Sequence, residues 1–168
     1  KDRPFTAEMT RSIMLLKEKH YRPRMADYRI GVFFTGREQL GEGAKTTAPV
    51  YYANRWDIQP SDTAAYLRGE KVKPTKQIVF YIDNTFPEKW KPYLREGVTQ
   101  WNELFEQIGF KDVVAAKDFP TDDPEFDPDN IKYSCVRYAP SSIENAMGPS
   151  WVDPVSYRYL RAHETKAN

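Results

Sequence analysis

Cysteine and histidine are almost missing from this sequence: one and two, in 168 residues. The lone Cys135 excludes an internal disulfide. It sits in the alternating run Ile131–Ala139, so a buried structural thiol is expected. Ser134-Cys135 has no histidine near it in a recognisable pattern, so no catalytic triad can be argued. Nor does any apolar run approach about 18 residues, so no transmembrane helix is expected. Lys1-Asp2-Arg3 leads into no apolar stretch, so no signal peptide is expected at this start. Charge of one sign is missing as well. Lys plus Arg is 25 and Asp plus Glu is 24, a net charge of +1. That balance gives no electrostatic footprint for nucleic acid or an acidic membrane. There is no internal repeat, heptad run or low-complexity tract. Glycine is scarce too, 8 against 13 prolines, which points to stiff, irregular connections.

What is present centres on Gln77–Ile108. Gln77–Ile82 is a short β-branched and aromatic run, the pattern of a buried strand. Asp83-Asn84-Thr85 breaks it. Trp90, Leu94, Val98, Trp101, Phe105 and Ile108 then recur at spacings of three and four, on one face of a helix. Pro92 suits a first helical turn, and Gly109 suits a left-handed stop. The spacing predicts one long helix, from around Trp90 or Pro92 to Ile108, with Trp90, Trp101 and Phe105 in the core and the charges of Lys89–Arg95 on a solvated face.

Met9, Ile13, Leu16 and His20 have helical spacing, yet Ser12–Leu16 equally suits a strand. His20 reads as a surface histidine. Tyr28–Thr35 is a strand by composition. Gly36–Lys45 is a hairpin loop: Glu42 follows Gly41 where a phosphate loop needs lysine. Thr46–Trp56 is a second strand, antiparallel to the first. Ser61-Asp62 caps a short helix over Thr63–Leu67 that Gly69 ends. Val113–Ala116 is a strand, so strand, helix and strand imply a parallel βαβ crossover. Phe119–Asn130 is acidic and proline-rich. It lacks the spacing of a calcium loop and reads as a solvated connection. Ile131–Ala139 is a third sheet strand. Gly148-Pro149 is a turn, and Tyr157–Glu164 is read as the start of a helix.

One pair of residues has a chemical logic. His163-Glu164 matches the first half of His-Glu-x-x-His, where two histidines four apart on a helix bind zinc and the glutamate acts on the metal-bound water. Ala167 stands at the second histidine's position.

A resemblance gives that pair more weight. The residues that carry it are YRIGVFF (Tyr28–Phe34), NRW (Asn54–Trp56), the long Lys76–Asp112 segment, FDPDNIKYSCVRY (Phe126–Tyr138) and AMGPSWVDP (Ala146–Pro154). In that order, over about three quarters of the chain, they resemble a family of large, exported bacterial zinc-dependent metalloproteases. The family is metzincin-like, with an N-terminal domain of otherwise unknown function before the peptidase core. The resemblance implies a first sheet strand at Ile78–Ile82 and a backing helix at Pro92–Ile108. It implies an edge strand near Ala146–Trp151, where Ala146, Met147 and Gly148 bind extended peptide by strand addition. It also implies an active helix beginning at YRYLRAHE, with His163 a Zn²⁺ ligand and Glu164 the general base. In the family a further connection and strand follow the VDP, and the zinc helix carries more ligands than this chain shows. This sequence therefore resembles part of the catalytic region, in an exported, cell-envelope protein.

The expectation is an α/β fold: a mixed twisted sheet, one long backing helix as in a metzincin-like upper subdomain, and an N-terminal antiparallel β arm. Residues 1–75 form the arm or the end of a preceding domain, and residues 76–168 a partial zincin-like domain. The first functional expectation is part of a zinc metallopeptidase acting on peptide or protein. The alternative is a non-catalytic binding or structural module that keeps the fold without the metal. A third is a carbohydrate-binding module using Tyr51, Tyr52, Trp56 and Tyr81.

Overall fold

The computed structural model of the chain describes residues 4–16, 21–41, 43, 45–141, 146–162 and 164–166, with 161–162 and 164–166 described by backbone path alone. The elements, in order, are strands β1 (Phe34–Leu40) and β2 (Thr47–Ala53), helix α1 (Thr63–Leu67), strand β3 (Ile78–Ile82), helices α2 (Lys91–Thr99) and α3 (Asn102–Gln107), and strands β4 (Val114–Asp118), β5 (Ser134–Tyr138), β6 (Ser150–Val152), β7 (Tyr159–Ala162) and β8 (Glu164–Lys166). β4, β3, β5 and β8 lie side by side in that order, all parallel. β1–β2 and β6–β7 are separate antiparallel pairs. The chain is thus a mixed α/β protein with parallel and antiparallel sheets.

β3 forms where the apolar run predicts it, and it is central because it is apolar on both sides. Ile82 is fully buried, between register partners Asp118 and Val136. Side chains alternate along a strand, so Ile78, Phe80 and Ile82 share a face with Val114 and Ala116 of β4 and Val136 of β5. Tyr81, on the other face, packs against Phe126 and Tyr133 at ring separations of 5.1 and 5.5 Å. Sheet-face packing is therefore the role of Tyr81. Cys135 is buried beside it in β5, as expected. Asp83 ends β3 and is itself buried. Its Oδ1 accepts from the Thr85 N–H and hydroxyl at 2.9 and 2.8 Å. Its Oδ2 accepts from the Tyr138 N–H at 3.4 Å, tying the ends of β3 and β5 together.

The single long helix is not what forms. α2 stops at Thr99 and α3 starts at Asn102. Two side chains explain the break. The Thr99 hydroxyl donates back to the Arg95 carbonyl at 2.8 Å and lies 3.3 Å from that of Glu96, a contact that bends helices. The Asn102 amide donates to the Val114 carbonyl at 2.8 Å and accepts the Val114 N–H at 2.8 Å, anchoring the chain to β4. Just after Asn102, the N–H groups of Glu103 and Leu104 donate three residues back, to Gln100 and Trp101, the tighter pattern of a 3₁₀ turn. Asn102→Ala is expected to leave two backbone groups unpaired and to cost about 1–3 kcal/mol, read as a lower denaturation midpoint at unchanged slope.

The break also rotates the apolar face. Trp90, Leu94, Val98 and Phe105 pack on the core, but Trp101 is 60% exposed and Ile108 57% exposed, against expectation. Lys91, expected on a solvated face, is 8% exposed and pairs with Glu88 at 2.6 Å. Gly109 follows with φ +86, the left-handed stop that the sequence predicts.

The short helix α1 also forms as predicted. Asp62 accepts the Ala65 N–H at 2.9 Å, and Gly69 has φ +85. Ala65, Val72, Ile78, Phe110, Val113 and Val114 make one core cluster, and Ile82, Phe86 and Val136 a second.

The N-terminal arm differs in register from its prediction. Gly36–Leu40, read as loop, belongs to β1, while residues 28–33 lie outside any strand. β1 and β2 are antiparallel, as expected, with Phe34 opposite Ala53. The segment 4–16 forms neither the helix nor the strand considered, and His20 lies outside the described residues. Phe119–Asn130 is a connection with no strand or helix. The N–H groups of Glu125 and Asp129 donate to Asp123 and Asp127 two residues earlier, so these aspartates stabilise turns. Asp129 is also ion-paired with Arg137.

Candidate functional site

The described part of the segment read as the start of a helix, Tyr157–Glu164, forms strands from Tyr159 on: β7 takes Tyr159–Ala162 and β8 begins at Glu164. The reason is pairing. β7 finds β6, and β8 finds the open edge of β5, with Glu164 opposite Val136. A strand advances about 3.3 Å per residue, so residues four apart share a face but stand about 13 Å apart, too far to hold one metal ion as they do from a helix. His163 lies outside the described residues, and of Glu164 the backbone alone is placed.

The candidate peptide segment and Glu164 both lie close in sequence to the β6–β7 pair, although Glu164 itself belongs to β8 and pairs with β5. Ser150 and Ala162 are register partners at the end of the β6–β7 ladder. Gly148 precedes Ser150 by two positions, and Glu164 follows Ala162 by two. Ala146, Met147 and Gly148 are exposed.

The other end of the hairpin is a built junction with the N-terminal arm. Asp153 is buried in its turn and accepts the N–H groups of Val155 and Ser156 at 2.9 and 3.2 Å. Arg158 donates to its other oxygen at 3.3 Å, from a side chain only 13% exposed. Burial by itself would raise the Asp153 carboxyl. The N–H donors and the Arg158 charge outweigh burial and hold it below the usual carboxylate range. Tyr157, in the same turn, is buried and left-handed at φ +58. That conformation costs a bulky residue about 1–2 kcal/mol. Its ring stacks flat on Tyr52 of β2, at 4.3 Å and 4°. Arg37 of β1 covers the same ring at 5.9 Å and reaches the Pro154 carbonyl at 3.3 Å. The backbones join as well. The Arg55 N–H donates to the Tyr157 carbonyl at 3.2 Å, and the Tyr159 N–H to the Arg55 carbonyl at 2.8 Å.

Arg55 lies over the Tyr21 ring at 4.9 Å and donates to the Arg22 carbonyl at 2.9 Å. Burial pushes the Tyr21 and Tyr159 phenols up, with Arg55 opposing the shift at Tyr21. Nε of Arg55 and Oγ of Ser156 are buried without a hydrogen-bond partner among the described residues. Each such atom costs about 1–3 kcal/mol. The stack, the ion pair and the backbone bonds must outweigh that cost.

Sequence reasoning did not single out Asp153, Tyr157 or Arg55. Asp153-Pro154 was a legible turn signal. Nothing marked Tyr157, because the left-handed region favours glycine and asparagine.

A family model described as a domain of unknown function (DUF5117) matches residues 1–61. The match takes in β1, β2, Arg55 and Tyr21, and ends at the residue before the α1 cap, Asp62. No match was found among curated proteins or among solved structures.

Among the described residues, no group of three or more His, Cys, Asp or Glu side chains could hold a metal ion. The described residues do not by themselves fit a zinc centre. No helix among them is long and apolar enough to cross a membrane.

Proposed function

We propose that this chain is part of an exported, cell-envelope zinc-dependent metallopeptidase of metzincin-like fold, with its sheet and arm serving to bind and position an extended peptide. Peptide would add as a strand along Ala146, Met147 and Gly148, where main-chain groups supply affinity and alternate side chains supply specificity. His163 would be a metal ligand and Glu164 the general base, completed by ligands from outside the described residues. The observation in support is the β6–β7 register: Ser150 pairs with Ala162, so Gly148 and Glu164 each stand two positions in sequence beyond the same end of the ladder. The order of the elements also supports it: a parallel strand–helix–strand unit follows an N-terminal segment matched by a family model without an assigned function. The test is hydrolysis of a peptide library by the complete protein. Glu164→Gln is expected to lower kcat by about 10²–10⁴-fold, the usual scale for loss of a general base. Unchanged hydrolysis would exclude Glu164 from that role.

The second reading is a binding or structural module without metal. What favours it is the strand at Glu164–Lys166, together with Ala167 at the position of the second histidine. It predicts no stoichiometric zinc and no hydrolysis in the complete protein.

A further inference from the structure

We propose that the N-terminal arm is a clamp that sets the position of the β6–β7 hairpin, with Tyr157 as the positioning residue and Tyr52 as its seat. Three independent contacts converge on the turn between β6 and β7. Tyr52 stacks face to face on Tyr157. Arg37 covers that ring and binds the Pro154 carbonyl. Arg55 exchanges backbone hydrogen bonds with Tyr157 and Tyr159. All three arm residues lie within the segment matched by the family model, and the turn lies outside it.

Tyr157 also holds a conformation that a glycine would adopt at no cost. A bulky residue stays in such a conformation only where its surroundings over-determine it. Here the turn's carboxylate, Asp153, fixes the backbone, and Tyr52 fixes the ring. The consequence reaches the far end of a short ladder. β6 is only three residues long, and although its register with β7 shifts between Trp151 and Val152, Ser150 lies two residues from the position that pairs with Tyr159. The arm therefore governs where β6 and the residues before it lie. This inference rests on the peptidase reading only for what that segment binds; the clamp itself is a statement about the hairpin.

Hydrogen exchange in the complete protein tests it. Tyr157→Gly suits the left-handed turn and removes the ring. Tyr52→Ala removes the seat and leaves the turn untouched. Both are expected to raise exchange of the Ser150–Val152 amides by about tenfold or more, with Ile78–Ile82 unchanged, as a local opening would. Tyr157→Phe, which keeps the ring, is expected to exchange as the parent does. Unchanged exchange of Ser150–Val152 in either ring-deleting variant would overturn the clamp. An equal rise in Ile78–Ile82 would overturn it too, because the effect would then be global. Peptide hydrolysis by the parent protein is read separately. Its absence would remove the peptidase reading and leave the exchange result standing.

Discussion

Asp153→Ala is expected to lower the unfolding free energy by about 3–5 kcal/mol, the scale for deleting one partner of a buried ion pair. The magnitude follows from what is stranded. Arg158 would keep a charge in a site where its side chain is only 13% exposed. The N–H groups of Val155 and Ser156 would lose their acceptor. Tyr157 would be left with its left-handed strain and without the carboxylate that fixes the turn. Asp153→Asn keeps the shape and loses the charge, so it is expected to cost less and to remove a pH dependence. The Asp153 carboxyl lies below its ordinary range in the folded protein. Its contribution is therefore complete above the unfolded value, about 3.9, and is lost as pH falls through the lower folded value. The parent's stability should decline below about pH 4 more steeply than that of Asp153→Asn. Parallel acid-limb curves for the two proteins would contradict this account of the turn.

Ile82→Ala is the other large effect, about 3–4 kcal/mol by the scale for emptying a well-packed core site. Ile82 is fully buried at the centre of the four-stranded sheet and has a parallel neighbour on each side. Its contacts come from both flanking strands and from Phe86, which belongs to the same cluster. Such a site cannot collapse without moving the sheet, so most of the cavity would persist. Ile82→Val should cost only about 0.5–1.5 kcal/mol. Chemical denaturation of both variants reads the pair. A cost below about 1 kcal/mol for the alanine would mean that the sheet is less closely packed than described here.

The sequence made the local rules legible and left the long-range pairings dark. β3, the α1 cap at Asp62, the left-handed glycines 69 and 109 and the parallel β3–β4 pair all follow from residues close in sequence. The long helix failed because helical spacing records a face and says nothing of a side chain such as Asn102 that finds a better partner on β4. The tail failed for a similar reason. Tyr157–Glu164 has a pattern that suits either a helix or strands, and tertiary pairing with β6 and β5 decided. The candidate site divides in the same way. Ala146–Gly148 and Glu164 came from motif and resemblance. The Asp153–Tyr157–Tyr52 junction depends on residues about a hundred positions apart, which no spacing rule connects.

The most direct measurement is amide exchange of the complete Glu164→Gln protein, with and without a saturating extended peptide. The account predicts new protection confined to Ala146–Val152, since an added strand would cover those backbone groups. Protection elsewhere with Ala146–Val152 unchanged, or no protection at saturation, would contradict it.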